Sequence, residues 1–330
     1  MAVNKDNNNN NNNNQKLRIV FMGTPVVAAQ TLSAMIDANY KPVLVVSQPD
    51  RRQGRSMKLT ASVVKELALE QEIPVFTPDR LNELSSIDKL REYQADIFIV
   101  IAYGQILSNE VLEIPRLGCY NLHYSLLPHL RGAAPIQFSL LNGDKKTGVS
   151  LIKMNEYMDQ GAVVGQASYK IDEGINFFDL QQGLCPLGAT LLIESLAKIN
   201  QLKPVKQNHQ HASYSRRVTK KDSQINWQRS AKEIYRQWQA FSPQPGIYTF
   251  YENKRIFFKQ VKLVAGAYEE GKVDEVGKIV ATNDGFKVIC QKGFLEVLSC
   301  QWAGKRENNT LEFLRGLGEQ RDKFFSGKFN

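Results

Sequence analysis

Asp96-Ile-Phe-Ile-Val-Ile-Ala102 is apolar on both faces of an extended chain. A strand with one wet face alternates apolar and polar residues. A strand without alternation has to be covered on both sides, as the central strands of parallel sheets are. Leu17-Arg-Ile-Val-Phe-Met22 and Val43-Leu-Val-Val46 are short apolar runs of similar kind, and Pro74-Val-Phe76 is a shorter one. Between them the spacing predicts helices starting after Pro25 and covering about 61–70 and 81–93. Strands alternating with helices predict an α/β fold, a doubly wound and mostly parallel Rossmann-like sheet. Ligands of such sheets sit at the carboxyl ends of the strands. That rule gathers Gly23-Thr-Pro25, Ala102-Tyr103-Gly104 and Asn121-Leu-His123 around one expected crevice. The chain has neither GxGxxG nor a P-loop lysine motif, which argues against a nucleotide cofactor there.

The rest of the chain divides by composition. Residues 1–16 include eight consecutive asparagines, Asn7 to Asn14, and past Met1-Ala2-Val3 have no apolar residue to bury. They are expected to be a disordered tail. A strand is predicted around Val163–Tyr169 and a helix around Asn176–Asn200, closed off by Pro204. Residues 17–205 then form a catalytic domain and the polar, basic stretch 206–224 a linker. Within the linker, His209 and His211 make an H-x-H pair that is read as linker polarity, because structural zinc normally needs four ligands. No metal is expected. Beyond it a helix over Trp227–Phe241 precedes short strands at 247–251, 255–263, 286–290 and 294–299, joined by Gly and Asn turns. That pattern predicts a small OB-like β-barrel over 225–330, its aromatic residues mainly filling the interior.

Charge follows the same division. Residues 211–330 hold 21 Lys+Arg against 13 Asp+Glu, so that nearly all of the net charge of +9 lies in the last third. A basic module beside a near-neutral one suggests a polyanionic partner such as nucleic acid. No apolar run approaches the roughly 18 residues of a membrane span, and the first residues lack the apolar core of a signal peptide. A cytoplasmic protein with no membrane partner is expected. Cys119, Cys185, Cys290 and Cys300 show no CxxC spacing and are expected to be reduced structural thiols.

The polar residues with chemical potential cluster between Asn121 and Gly161. Asn121 and His123 are two apart, so an extended backbone points both to one side. Asp159 follows in a Met-Asp-Gln-Gly loop. An amide donor, a titratable ring and a carboxylate can together stabilise a tetrahedral oxyanion and collect a proton, as acyl transfer to an amine requires. Ser125 beside His123 is a poor nucleophile candidate, since no Gly-x-Ser-x-Gly elbow surrounds it. A second candidate is Gln48–Lys58, where Arg51, Arg52, Arg55 and Lys58 crowd into an otherwise neutral region. Guanidinium groups suit phosphate contacts.

Asn121-x-His123-x-Ser-Leu-Leu-Pro128, then Arg131-Gly132, then Asp159-x-Gly161 resembles the signature of the folate-dependent formyltransferases. Gly132-Ala-Ala-Pro-Ile-Gln137 is similar to the branch of that family whose acceptor is methionyl-tRNA. Phe241-Ser-Pro-Gln-Pro, Gln301-Trp-Ala-Gly-Lys305 and Leu311-Glu-Phe-Leu-Arg-Gly316 extend the resemblance to the last third. The resemblance implies a formyltransferase that moves the formyl group of 10-formyltetrahydrofolate, its co-substrate, to the α-amino group of aminoacylated initiator tRNA. It implies Asn121, His123 and Asp159 as catalytic residues. It puts Ser125, Leu126, Leu127 and Pro128 against the folate, with the main chain of Ala102, Tyr103 and Gly104 suited to a pterin edge. It also implies a tRNA contact through Arg55 first, then Arg51 and Lys58, and a tRNA-binding C-terminal domain. Two alternatives share features with this reading: a formyltransferase with a small acceptor, and an RNA-binding protein without chemistry.

Overall fold

Ile19–Gly23 (β1) is buried along its whole length, as a run of Ile, Val, Phe and Met must be to leave water. The computed structural model describes residues 17–53, 57–264 and 275–330. They fall into two units, one ending at Tyr120 and one beginning at Asn121.

In the first unit β1 is followed by α1 (Val26–Asp37), β2 (Leu44–Val46), β3 (Arg51–Gln53), β4 (Lys58–Thr60) and α2 (Val63–Glu70). Then come β5 (Val75–Phe76), α3 (Leu84–Glu92), β6 (Ile97–Ile101) and α4 (Asn109–Leu112). Strands β5, β2, β1 and β6 lie side by side in that order and all run parallel. The five residues of β6 are buried on both faces, as their lack of alternation requires. Each fully buried Ile or Val there contributes on the order of 1.5–3 kcal/mol. Helix α2 starts where Ser62 caps it, its hydroxyl accepting from Lys65 N at 3.1 Å. The cation-rich stretch contains a small antiparallel pair, β3 with β4, where only a loop was expected.

Strand β7 (Cys119–His123) carries the chain into the second unit. There follow β8 (Arg131–Gly132), α5 (Pro135–Asn142), β9 (Lys146–Lys153), β10 (Ala162–Lys170), α6 (Phe177–Ala197) and β11 (Tyr214–Ser215). Within this unit β7 lies next to β9, which pairs antiparallel with β10. Helix α6 packs over β9 and β10. Residues 207–215 do not hang free as a linker. They fold back so that β11 pairs with β8, Arg131 N donating to Ser213 O and Ala133 N to Ser215 O.

The last third contains α7 (Ala231–Phe241), β12 (Ile247–Tyr251), β13 (Lys254–Val264), β14 (Ile279–Thr282), β15 (Gly285–Ile289), β16 (Phe294–Trp302), β17 (Asn308–Asn309), α8 (Thr310–Gly316) and α9 (Arg321–Ser326). Helix α7 begins at Ala231, later than the pattern predicts, because Ser230 and Glu233 form a capping box. Trp227 is thereby freed to enter the core, where its indole donates to Thr249 Oγ1 and it packs on Phe258 and Phe329. The strands form an antiparallel path, β12-β13-β16-β15-β14, with β17 on β16. Among the described residues it does not close into the expected barrel. Its two outer strands are bridged by the last residues of the chain, Phe329 N donating to Gly277 O and Asn330 N to Phe250 O. Phe258, Phe286, Phe313, Phe324 and Phe329 fill the interior edge to face, so these aromatics are core. The four cysteines are buried, and none is in a disulfide among the described residues. Among the described residues no helix is long and apolar enough to cross a membrane.

Candidate active site

The i, i+2 spacing in β7 brings Asn121 and His123 to one side, while Leu122 between them is buried. Asp159 reaches the same place from the loop between β9 and β10. Its backbone is left-handed, φ +53°, which few residues other than Gly, Asn and Asp tolerate. Gly161 lets the loop turn tightly, since a Cβ there would lie 2.0 Å from Lys153 O.

Each oxygen of Asp159 has a distinct partner. Oδ1 accepts from Asn121 Nδ2 at 3.2 Å. Oδ2 accepts from the backbone N–H of Gly132 at 2.7 Å and lies 3.6 Å from His123 Nδ1. His123 Nε2 stands 2.9 Å from Leu130 O, and a carbonyl can only accept, so Nε2 carries a hydrogen. The ring therefore turns Nδ1 toward the carboxylate. His123 and Asp159 are both nearly buried, while Asn121 is partly exposed. Asn121 thus has one amide hydrogen on Asp159 and a second that no described residue accepts. A partly exposed amide donor bonded to a carboxylate, with a buried imidazole 3.6 Å from that carboxylate, can polarise a carbonyl and move a proton.

Of the four residues from Ser125 to Pro128, Ser125 and Leu127 are buried, and Leu126 and Pro128 keep exposed surface. Ser125 Oγ donates to His129 O, so its hydroxyl is engaged within the chain. Ser150 fixes the segment, its hydroxyl donating to Ser125 O and accepting from Leu127 N, while Gln166 donates to Leu127 O. The side chains of Leu126 and Pro128 are what this segment offers a ligand.

In the first unit, Ala102 (φ +46°) and Gly104 (φ +95°) turn the chain sharply at the end of β6, both exposed, with the Tyr103 ring buried between them. Burial pushes the Tyr103 phenol well above its ordinary range, and among the described residues its hydroxyl has no partner. Thr24 Oγ1 donates to Tyr103 O. Arg51 donates to Gln48 Oε1 and, like Lys58, is exposed on the β3–β4 hairpin. Arg55 lies outside the described residues.

Sequence reasoning did not find Gln207. Its amide donates to Asp159 O and Gly161 O, both at 2.8 Å, and accepts from the buried Arg131 guanidinium at 2.7 and 3.1 Å. His209 Nδ1 lies 3.3 Å from Arg131 Nη1, so this half of the H-x-H pair faces a cation. Among the described residues no three His, Cys, Asp or Glu side chains are grouped as metal ligands would be.

With this geometry in place, the comparisons with known proteins fall in one direction. Residues 17–196 match the profile described as formyl transferase, and residues 217–318 that of the formyl transferase C-terminal domain. The chain belongs to the formyl transferase family. Among individual relatives, it is 41% identical over 303 residues to the methionyl-tRNA formyltransferase of Magnetococcus marinus, spanning 91% of this chain and 96% of that one. It is 39% identical over 316 residues to the methionyl-tRNA formyltransferase of Coxiella burnetii, spanning 94% and 98%. A sugar 3N-formyl transferase solved with dTDP and 5-N-formyl-THF shares the fold at a TM-score of 0.63 and 20% identity, spanning 88% of this chain and 99% of that one.

Proposed function

We propose that this protein transfers the formyl group of 10-formyltetrahydrofolate to the α-amino group of initiator methionyl-tRNA, in the cytoplasm, where charged tRNA is used. The chemistry is carried by one observation: Asp159 accepts from Asn121 and faces Nδ1 of His123. The acceptor follows the relatives that match along nearly the whole chain. The basic last third supports a polyanionic acceptor.

A free α-amino group titrates near roughly 7.7–8.0, so no strong base is needed to make it a nucleophile. The barrier lies in the tetrahedral species formed when nitrogen attacks the formyl carbon. Asn121 gives its remaining amide hydrogen to the developing oxyanion, and His123 adds a second polar group beside it. Asp159 holds Asn121, faces His123 and receives the proton from the attacking nitrogen. The bond from the formyl carbon to folate nitrogen then breaks, and that nitrogen takes up a proton, leaving tetrahydrofolate and N-formylmethionyl-tRNA. Leu126 and Pro128 offer apolar surface to the folate, and the turn at Ala102–Gly104 in the first unit offers main-chain groups suited to a pterin edge. Arg55, Arg51 and Lys58, and separately the basic last third, are suited to contact tRNA phosphates.

The test is transfer of labelled formyl from 10-formyltetrahydrofolate to charged methionyl-tRNA, with glycinamide ribonucleotide and an amino-sugar nucleotide as competing acceptors. Label on the tRNA, abolished by His123→Ala, is expected. Label on a small acceptor alone would reject the tRNA assignment and keep the chemistry.

A further inference from the structure

Arg131 is the largest fully buried side chain, 1% exposed, and among the described residues no carboxylate pairs with it. Its charge is permanent. Two of its nitrogens donate to one oxygen, Oε1 of Gln207, which is itself 8% exposed. A guanidinium only donates and a carbonyl only accepts. The Gln207 amide therefore has a single consistent orientation, with its NH2 group on Asp159 O and Gly161 O. The residue after Arg131 completes the grip, Gly132 N donating to the Asp159 carboxylate. One strand thus holds the side chain of Asp159 directly and its main chain through Gln207. A left-handed aspartate persists only where its surroundings fix it.

We propose that Gln207 is a positioning residue: set by Arg131, it clamps the loop that presents the Asp159 carboxylate to Asn121 and His123. The proposal rests on the reading of Asp159 as catalytic. It assigns a role in the reaction to the stretch that sequence alone reads as linker.

Gln207→Glu isolates this role. A glutamate still accepts from Arg131, so the buried cation stays paired, but its carboxylate withdraws both donors from the loop. Gln207→Met removes donor and acceptor together and serves as a comparison if it folds. For Gln207→Glu, kcat is expected to fall about tenfold to a hundredfold, the cost of small misplacements of a catalytic group. KM for folate and for the acceptor should stay within about threefold, because no proposed binding contact is changed, while Tm falls modestly as two buried loop carbonyls lose their donors. The second readout needs no turnover. Exchange of the Gly132 amide hydrogen, followed by NMR, should speed up at least about tenfold as Asp159 leaves it. Unchanged kcat, or a lower kcat with a matching loss of Tm and rise of both KM values, would overturn the proposal. So would unchanged protection of Gly132. If the unmodified protein transfers no formyl group, the assigned function fails, and the exchange measurement still decides whether Gln207 clamps the loop.

Discussion

Asp159 combines three roles that pull on different parts of the residue: a left-handed backbone, a charge, and two accepted hydrogen bonds. Asparagine tolerates that backbone and keeps one acceptor oxygen, so Asp159→Asn separates charge from shape. Its Tm is expected to stay within about 3 °C of the parent while kcat falls by about a hundredfold or more, read by thermal denaturation and formyl transfer side by side. A parent-like kcat would show that the carboxylate's charge is not used. That Asn121, His123 and Asp159 come together was legible in the sequence, because they stand within one stretch and Asn121 and His123 are two apart on a strand. Gln207 was not, since a lone glutamine in a polar stretch carries no local signal and its partners lie far away in the chain. Ser125 was legible as a position and not as an environment. Nothing local shows that its hydroxyl is consumed by His129 O.

Strand β8 has two residues and matters out of proportion to its length. Gly132 has φ +112°, and a Cβ there would lie 2.3 Å from Ser215 O in β11. Gly132→Ala therefore has to part β8 from β11 and pull the Gly132 N–H off Asp159. A loss of about 1–3 kcal/mol from the backbone conformation alone is expected, with formyl transfer failing before unfolding is complete. Denaturant titration and activity on the same sample would show it. At this scale the buried strands β1, β2 and β6 were legible, because apolar runs without alternation have few other uses. The β3–β4 pair was not, since its exposed cations and glycine carry no apolar alternation. Strands β8 and β11 are too short to have a period at all. The barrel expectation found four of the six strands, missing β14 and β17, and could not see that the last residues of the chain bond to Gly277 and to β12.

For the molecule as a whole, the decisive asymmetry is charge. Counterion release makes nucleic-acid binding fall steeply with salt, so KM for charged tRNA is expected to rise at least about tenfold between roughly 50 and 200 mM KCl. Turnover at saturating tRNA should change far less. A flat KM would remove the basic last third from the tRNA site. That part is also fixed in place within its unit: α7 packs against α5, and Gln239 donates to Ile175 O. The return of residues 207–215 to β8 has a consequence for recombination among relatives. A chimaera joined near residue 205 would take its Asp159 loop from one parent and the glutamine bonded to it from the other. A chimaera joined after Ser215 would inherit both from one parent. The second design is expected to work and the first to fold with weakened turnover, so the functional seam of this protein lies about ten residues beyond its apparent sequence boundary.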